Sequence, residues 1–270
     1  MNSEIIALRQ LIENHKLIPF IGAGFSQNAG LPSARALTRQ LLELFGLDRD
    51  GQMRPDVDLL HLAQYLRIIH GGSLAPLLAR LRSCLTDRDV PLSPPHLLLA
   101  QLGTPIIYTT NYDRLLERSF EELKIPYTAV VTTADIIQTT GCDEVQVVKF
   151  HGSLEVDDSL VLTESDYYRR LEFVTPIDIK LRADSLGKSL LFIGYSFSDF
   201  NIRYLWFKLR RMMHEVDPRD IPDSYILLCQ PDHLTSVLLK NMGINTIDLS
   251  RYRGQDHSEK LTSFLQALQP

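Results

Sequence analysis

An apolar run, Leu17-Ile18-Pro19-Phe20-Ile21, leads straight into Gly22-Ala23-Gly24-Phe25-Ser26, and Leu37, Leu41, Leu44 and Phe45 then recur at helical spacing. Buried strand, glycine turn, helix: this order commits the chain to an α/β opening. Such a turn sets backbone N–H groups and a helix dipole against an anion at the end of a strand. The spacing matches neither of the two common phosphate loops. G-x-G-x-x-G would need glycine at Gln27, and no G-K-[ST] follows. A plain tight turn after a strand reads the same way, so the turn alone does not decide whether anything binds there.

The rest of the chain extends the same pattern. Ile5, Leu8 and Ile12 give residues 4–16 a helical period, closed by Asn14-His15-Lys16 before the first strand at 17–21. Further buried strands are predicted at Ile106–Thr109, Val145–Phe150, Ser189–Gly194, Tyr225–Cys229 and Asn245–Leu249, with helices between most of them. The expected fold is therefore α/β, a Rossmann-like, mainly parallel sheet with helices on both faces. Between 48 and 93 the pattern changes. A helical stretch runs from Asp56-Val57-Asp58 to about Ile69, Gly71-Gly72 breaks it, and Leu74 to Leu85 forms another. This predicts a small helical insert at 48–93 in a domain made of 1–47 and 94–270, which resumes at Pro94-Pro95-His96 with prolines suited to a first helical turn.

Four strand ends carry polar or glycine-rich segments: Gly22 to Ser26, Thr109-Thr110-Asn111-Tyr112-Asp113, His151-Gly152-Ser153, and Gly194-Tyr195-Ser196-Phe197-Ser198-Asp199. On a parallel sheet the carboxyl ends face one crevice, so the four are expected to converge on a single ligand. Taken singly, Asn-x-Asp before a helix reads as a cap, and a lone histidine after a strand reads as structural.

The charge balance excludes several classes. With 28 basic and 33 acidic residues the net charge is −5, not the basic footprint of a nucleic-acid binder, so no direct nucleic-acid contact is expected. Lys208, Arg210 and Arg211 read as a solvated helix face. Cys84, Cys142 and Cys229 are odd in number and far apart, which points to reduced thiols and a cytoplasmic protein without a zinc ribbon. Met-Asn-Ser-Glu does not open a signal peptide, and no apolar run approaches the ~18 residues of a membrane span. His15, His61, His70, His96, His214, His233 and His257 show no ligand spacing, and no metal is expected.

GAGFSQNAGLPSAR at 22–35, TTNYD at 109–113, Phe150-His151-Gly152 and Gly194-Tyr195-Ser196 are similar, in order and spacing, to the NAD-binding signatures of sirtuins. PPHLLLAQL at 94–102, LVLTESDYY at 160–168 and LLFIGYSFSDFNI at 190–202 resemble the bacterial sirtuin-like branch of antiphage defence systems. The resemblance runs from about residue 15 to 250. Two departures stand out. Sirtuin deacylases carry two C-x-x-C pairs between the histidine and glycine-x-serine motifs, and residues 152–193 here contain no cysteine. Where deacylases have Asp-Phe-Arg, this chain has Ser33-Ala34-Arg35, and alanine leaves more room for water beside the ribose. Both departures favour hydrolysis of NAD over peptide deacylation.

The resemblance implies a site. Gly22, Ala23, Gly24 and Ser26 would contact the pyrophosphate through backbone amides and a hydroxyl, with Arg35 supplying charge and Thr110 close by. Gly194 and Ser196 would hold the adenosine half, and Asn111 and Asp113 would face the nicotinamide ribose. Asn111 would orient a hydroxyl or the attacking water, while His151 would bond the ribose hydroxyls and act as base near its reference pKa of about 6.5. NAD would be the substrate, with no metal.

The implied function is an NAD+ glycohydrolase that releases nicotinamide and ADP-ribose and depletes NAD as the effector of an antiphage, abortive-infection system. Because domain and insert account for nearly all of the chain, control is expected from a separately encoded sensor: a nucleotide-binding protein, a ring ATPase or a short Argonaute. Homo- or hetero-oligomers are expected. The alternatives are an NAD-dependent protein deacylase and a non-catalytic module that binds NAD or ADP-ribose. Trp206 with Leu205, Leu209 and Met212 reads as a buried or interface helix face, Tyr167, Tyr168 and Arg169 as either a closing element or packing, and Asp199 as a cap for a helix near Phe200.

Overall fold

The computed structural model describes residues 3–48, 57–195, 200–213, 215–217 and 220–269. Seven strands form one sheet: β1 Leu17–Ile21, β2 Ile106–Thr109, β3 Tyr127–Val130, β4 Val145–Lys149, β5 Ser189–Ile193, β6 Ser224–Leu228 and β7 Ile244–Asp248. Their order is β3-β4-β2-β1-β5-β6-β7, and every pairing is parallel. This is the Rossmann-like sheet expected from the alternation of apolar runs and helices. Winding departs from β1 in both directions, so strand order reverses between β1 and β5, where ligand crevices form.

Side chains alternate across the sheet with the two-residue period of a strand. In β1, Leu17 and Ile21 enter one apolar cluster and Ile18 and Phe20 the other; in β5, Leu191 and Ile193 are set against Leu190 and Phe192 in the same way. The first cluster is covered by helices Ser3–Glu13, Pro94–Ala100, Leu115–Leu123 and His257–Leu268. The second is covered by Pro176–Ser185, Phe200–Arg211 and His233–Asn241. Both faces are sealed, which is why the central strands read as continuous hydrophobic runs. Pro19 lacks an N–H, and the β1–β2 ladder is confined to Phe20 and Ile21 just beyond it.

β3 is an edge strand that the apolar pattern does not reveal. Three of its four residues are only half-buried, so Tyr127-Thr128-Ala129-Val130 shows no continuous apolar run. Leu205, Trp206 and Leu209 are buried, as their spacing predicts, and the Trp206 indole donates to the Met242 carbonyl at 2.8 Å. The basic cluster beside them is solvated only in part. Arg211 is exposed, but Lys208 and Arg210 are half-buried, 5.2 Å from the Tyr204 ring and 5.9 Å from the Trp206 ring.

A third cluster joins Leu37 and Leu41 of helix Ala34–Leu44 to Leu62 and Leu66 of Leu59–Ile69, Leu77 and Leu81 of Ala75–Cys84, and Leu160 and Leu162. Asp58 caps the second of these helices by accepting from the His61 amide at 2.9 Å, while Asp56 lies outside the described residues. Among the described residues no helix is long and apolar enough to cross a membrane, and no group of three or more His, Cys, Asp and Glu side chains could hold a metal ion. His214 lies outside the described residues.

Candidate active site

Ile21 pairs with Thr109 of β2 and with Ile193 of β5, and Thr109 pairs with Lys149 of β4. Four strands therefore end in one row, and the segments that follow them leave the sheet at one level. They line a cleft of about 1010 Å³, to which Ser26, Asn111, His151 and Gly194 each contribute from a different strand end. Asp58 and Leu59, before and within the Leu59–Ile69 helix, line it from another side.

Close backbone approach between β1 and β5 requires the glycines. Gly194 has φ +80°, and a Cβ there would lie 2.5 Å from the Phe25 nitrogen and 2.6 Å from the Gly22 carbonyl oxygen. A Cβ on Gly22 or Gly24 would in turn meet the Gly194 carbonyl oxygen at 2.7 or 2.9 Å. The Gly22 amide donates to Ile193 O at 2.8 Å, and the Gly24 amide to Gly194 O at 3.0 Å. In this way both amides tie two strand ends together. Of the three backbone amides, only that of Ala23 has no partner among the described residues.

Asn111 is 6% exposed and held from both ends. Its backbone amide donates to Thr109 Oγ1 at 3.0 Å, and its Nδ2 donates to Gly22 O at 3.1 Å and Ser26 Oγ at 2.9 Å. Because Gly22 O is a carbonyl, it requires the NH2 group on that side and fixes the amide orientation. The other atom, Oδ1, is buried and has no hydrogen-bond partner among the described residues. A buried acceptor left unpaired costs about 1–3 kcal/mol, so a lone Oδ1 in the lining of a cleft is poised for a ligand donor.

Asp113 is engaged on both carboxylate oxygens, by Ser26 Oγ at 2.8 Å and by the Leu115 amide at 3.1 Å. It caps helix Leu115–Leu123 and anchors Ser26, so the capping role of Asn-x-Asp and a position in the cleft lining coexist. Burial pushes its pKa up, while Lys149, the Ser26 hydroxyl and the Leu115 amide pull it back.

His151 is 9% exposed, with Nδ1 at 3.3 Å from the Tyr167 hydroxyl and the two rings meeting edge-on at 5.2 Å. Burial, aided by the Arg170 charge, lowers its pKa to about 3. Burial thus favours the neutral imidazole at pH 7 and weakens it as a base relative to its reference value. Arg170 also fixes the preceding backbone, donating to Phe150 O at 3.0 Å and stacking 4.2 Å from the Phe150 ring, with Asp178 as its ion partner at 3.0 Å.

Thr110 lines the cleft and shares a 2.8 Å hydrogen bond with the Tyr195 hydroxyl, which donates to Ile21 O at 3.0 Å. Arg35 is not brought to the site. It stands exposed on the first turn of helix Ala34–Leu44 and is absent from the cleft lining, because the buried face of that helix belongs to Leu37 and Leu41. Ser196 lies outside the described residues, as do Phe197, Ser198 and Asp199.

The sequence reading missed Lys149, which is 1% exposed and paired with Glu117 at 3.1 Å. Its signal is a lysine closing the otherwise apolar Val147-Val148 stretch. It also missed the β6 end, where Cys229 and Gln230 line the cleft.

A parallel sheet wound outward from β1, with its cleft where strand order reverses, defines a Rossmann-like protein. The chain matches the SIR2-like domain family over residues 105–247 and belongs to that family. It is 28% identical over 275 residues to the NAD(+) hydrolase ThsA of Bacillus cereus (strain MSX-D12), covering 97% of this chain and 55% of that protein. To the NAD(+) hydrolase ThsA of Enterococcus faecium it is 30% identical over 224 residues, 80% of this chain and 45% of that one. Defense-associated sirtuin 2 of Bacillus subtilis matches at 22% over 257 residues, 92% of this chain and 25% of that protein. The chain spans about half the length of the NAD(+) hydrolases it matches.

Proposed function

We propose that this chain is an NAD+ glycohydrolase, cleaving NAD+ to nicotinamide and ADP-ribose, and that it serves as the NAD-depleting effector of a bacterial antiphage defence system. The observation that carries this reading is the buried Oδ1 of the cleft-lining residue Asn111, unpaired among the described residues, while Nδ2 of the same amide is held by two acceptors. Relatives named as NAD(+) hydrolases and as defence-associated support it.

The leaving group is a cationic pyridinium, so breaking the C1′–N bond yields neutral nicotinamide without protonation and leaves an oxocarbenium-like C1′. Asn111 Oδ1 accepts from the attacking water or a ribose hydroxyl and sets its direction. Water bonded to that centre becomes strongly acidic and gives up its proton late to the neutral His151 imidazole, which passes it to solvent, so a weak base suffices. Asp113 and Ser26 hold Asn111 in register; Thr110 and Gly194 flank the nucleotide. No metal takes part.

The helical segment at 48–93 is proposed to act as an insert that walls the cleft, with Asp58 and Leu59 in its lining. In the cytoplasm an uncontrolled NADase would deplete its own cell. We therefore place control in a separately encoded sensor and in homo- or hetero-oligomerisation.

The test is NAD+ consumption by the purified protein, alone and with the product of the neighbouring gene, with nicotinamide, ADP-ribose and acylated products separated by chromatography. Release of nicotinamide and ADP-ribose in equal amounts is expected. Tight ADP-ribose binding without consumption in either case would replace the enzyme reading with a signalling module.

The histidine predicts a pH profile. With His151 lowered to about 3, kcat should show no inflection near 6.5 between pH 5.5 and 8. An apparent pKa near 6.5 that vanishes in His151→Gln would contradict this. The unfolded chain takes up the proton first, so the stabilising contribution is complete above about 6.5 and is lost as pH falls toward about 3.

A further inference from the structure

Lys149 is a buried cation that the chemistry above does not use. It is 1% exposed, does not line the cleft, and closes β4 beside Thr109. Placing an ammonium in an interior is costly unless it is paired and hydrogen-bonded. Here it is both: Nζ lies 3.1 Å from Glu117 Oε1 and donates to the backbone carbonyl of Asp113.

From that carbonyl a continuous line of bonds reaches the site. The Asp113 carboxylate accepts from Ser26 Oγ at 2.8 Å, and Ser26 Oγ accepts from Asn111 Nδ2 at 2.9 Å. Asn111, Asp113 and the cap at Leu115 all belong to the single turn between β2 and helix Leu115–Leu123. Glu117 is on that helix and Lys149 on the neighbouring strand, so the ion pair fastens the turn from below while Ser26 holds it from the side.

We infer that Lys149 is a positioning residue for the reaction at Asn111: by holding the Asp113 carbonyl it sets where Asn111 Oδ1 stands, without touching the ligand. This rests on the NAD+-cleavage reading. A reacting group displaced by about 1 Å can lose about 10²-fold in rate while the nucleotide still binds.

The experiment compares wild type with Lys149→Met and with Lys149→Met combined with Glu117→Gln. The double variant removes the carboxylate that the single one would strand in the interior, and it carries the test if Lys149→Met does not fold. Expected is a kcat for NAD+ cleavage lower by about 10- to 100-fold, with KM within about threefold of wild type. Combined with Ser26→Ala, the losses should be less than additive, because both act through one line of bonds. A double variant that folds and keeps wild-type kcat overturns the inference, as does a loss confined to KM or full additivity with Ser26→Ala. Wild-type protein that leaves NAD+ intact overturns the cleavage reading instead, so the two failures are distinct.

Discussion

Asn111→Ala is expected to lower NAD+ cleavage by about 10²–10³-fold, the cost typical of removing one preorganised polar group from a reacting centre. The side chain removed carries the unpaired Oδ1, while its Nδ2 bonds to Gly22 O and Ser26 Oγ at 3.1 and 2.9 Å. Losing those two bonds costs about 1–3 kcal/mol of stability in all. The fold should survive, because Gly22 O still accepts from the Phe25 amide at 2.9 Å and Ser26 still donates to Asp113. The measurement is nicotinamide release beside ADP-ribose affinity and thermal unfolding. A large drop in rate with binding retained is the expected pattern; a variant as fast as wild type would remove Asn111 from the chemistry.

The second large effect is at Gly194. Alanine there must adopt φ +80°, at about 1–2 kcal/mol, and must also clear the Phe25 nitrogen at 2.5 Å and the Gly22 oxygen at 2.6 Å. Both obstacles are backbone, so no side-chain rotation relieves them. Gly194→Ala should destabilise the protein by more than about 3 kcal/mol and abolish nucleotide binding, measured by urea unfolding and calorimetric titration of ADP-ribose. Gly30→Ala is the control. Its φ is +95°, but a Cβ there meets nothing within 4 Å, so it isolates the left-handed strain from the clash. Equal unfolding midpoints for the two variants would show that the contact between the β1 and β5 ends carries no weight.

Much of the fold was legible because β1 and β5 are buried on both faces and read as unbroken apolar runs. β3 was not, since an edge strand with three half-buried residues leaves no such run. The convergence of four strand ends was legible from parallel topology, and the row Ile21, Thr109, Lys149 and Ile193 bears it out. The partners within that row were not. The acceptors taken by the Gly22 and Gly24 amides are on β5 and the turn after it, far away in sequence. Arg35 matched a motif yet faces solvent, because its helix turns Leu37 and Leu41 inward. The lowered pKa of His151 comes from burial and from Arg170, neither visible in Phe150-His151-Gly152 itself. Lys149 could have been flagged as a charge at the end of a hydrophobic strand, but Glu117 as its partner required the fold.

The interlock of Gly22, Gly24 and Gly194 also sets the floor of the cleft apart from its walls. Two strand ends that meet with no clearance for even one methyl group make a floor built from backbone contact. The walls are built differently. Helix Glu164–Leu171, which carries Tyr167 to His151, is joined to the Leu59–Ile69 helix by hydrogen bonds from Ser165 to Gln64 Oε1 at 3.1 and 2.9 Å and by the pairs Arg67–Asp166 at 3.7 Å and His61–Glu164 at 3.8 Å. The cleft therefore joins a floor set by backbone contact to a rim set by side-chain contact.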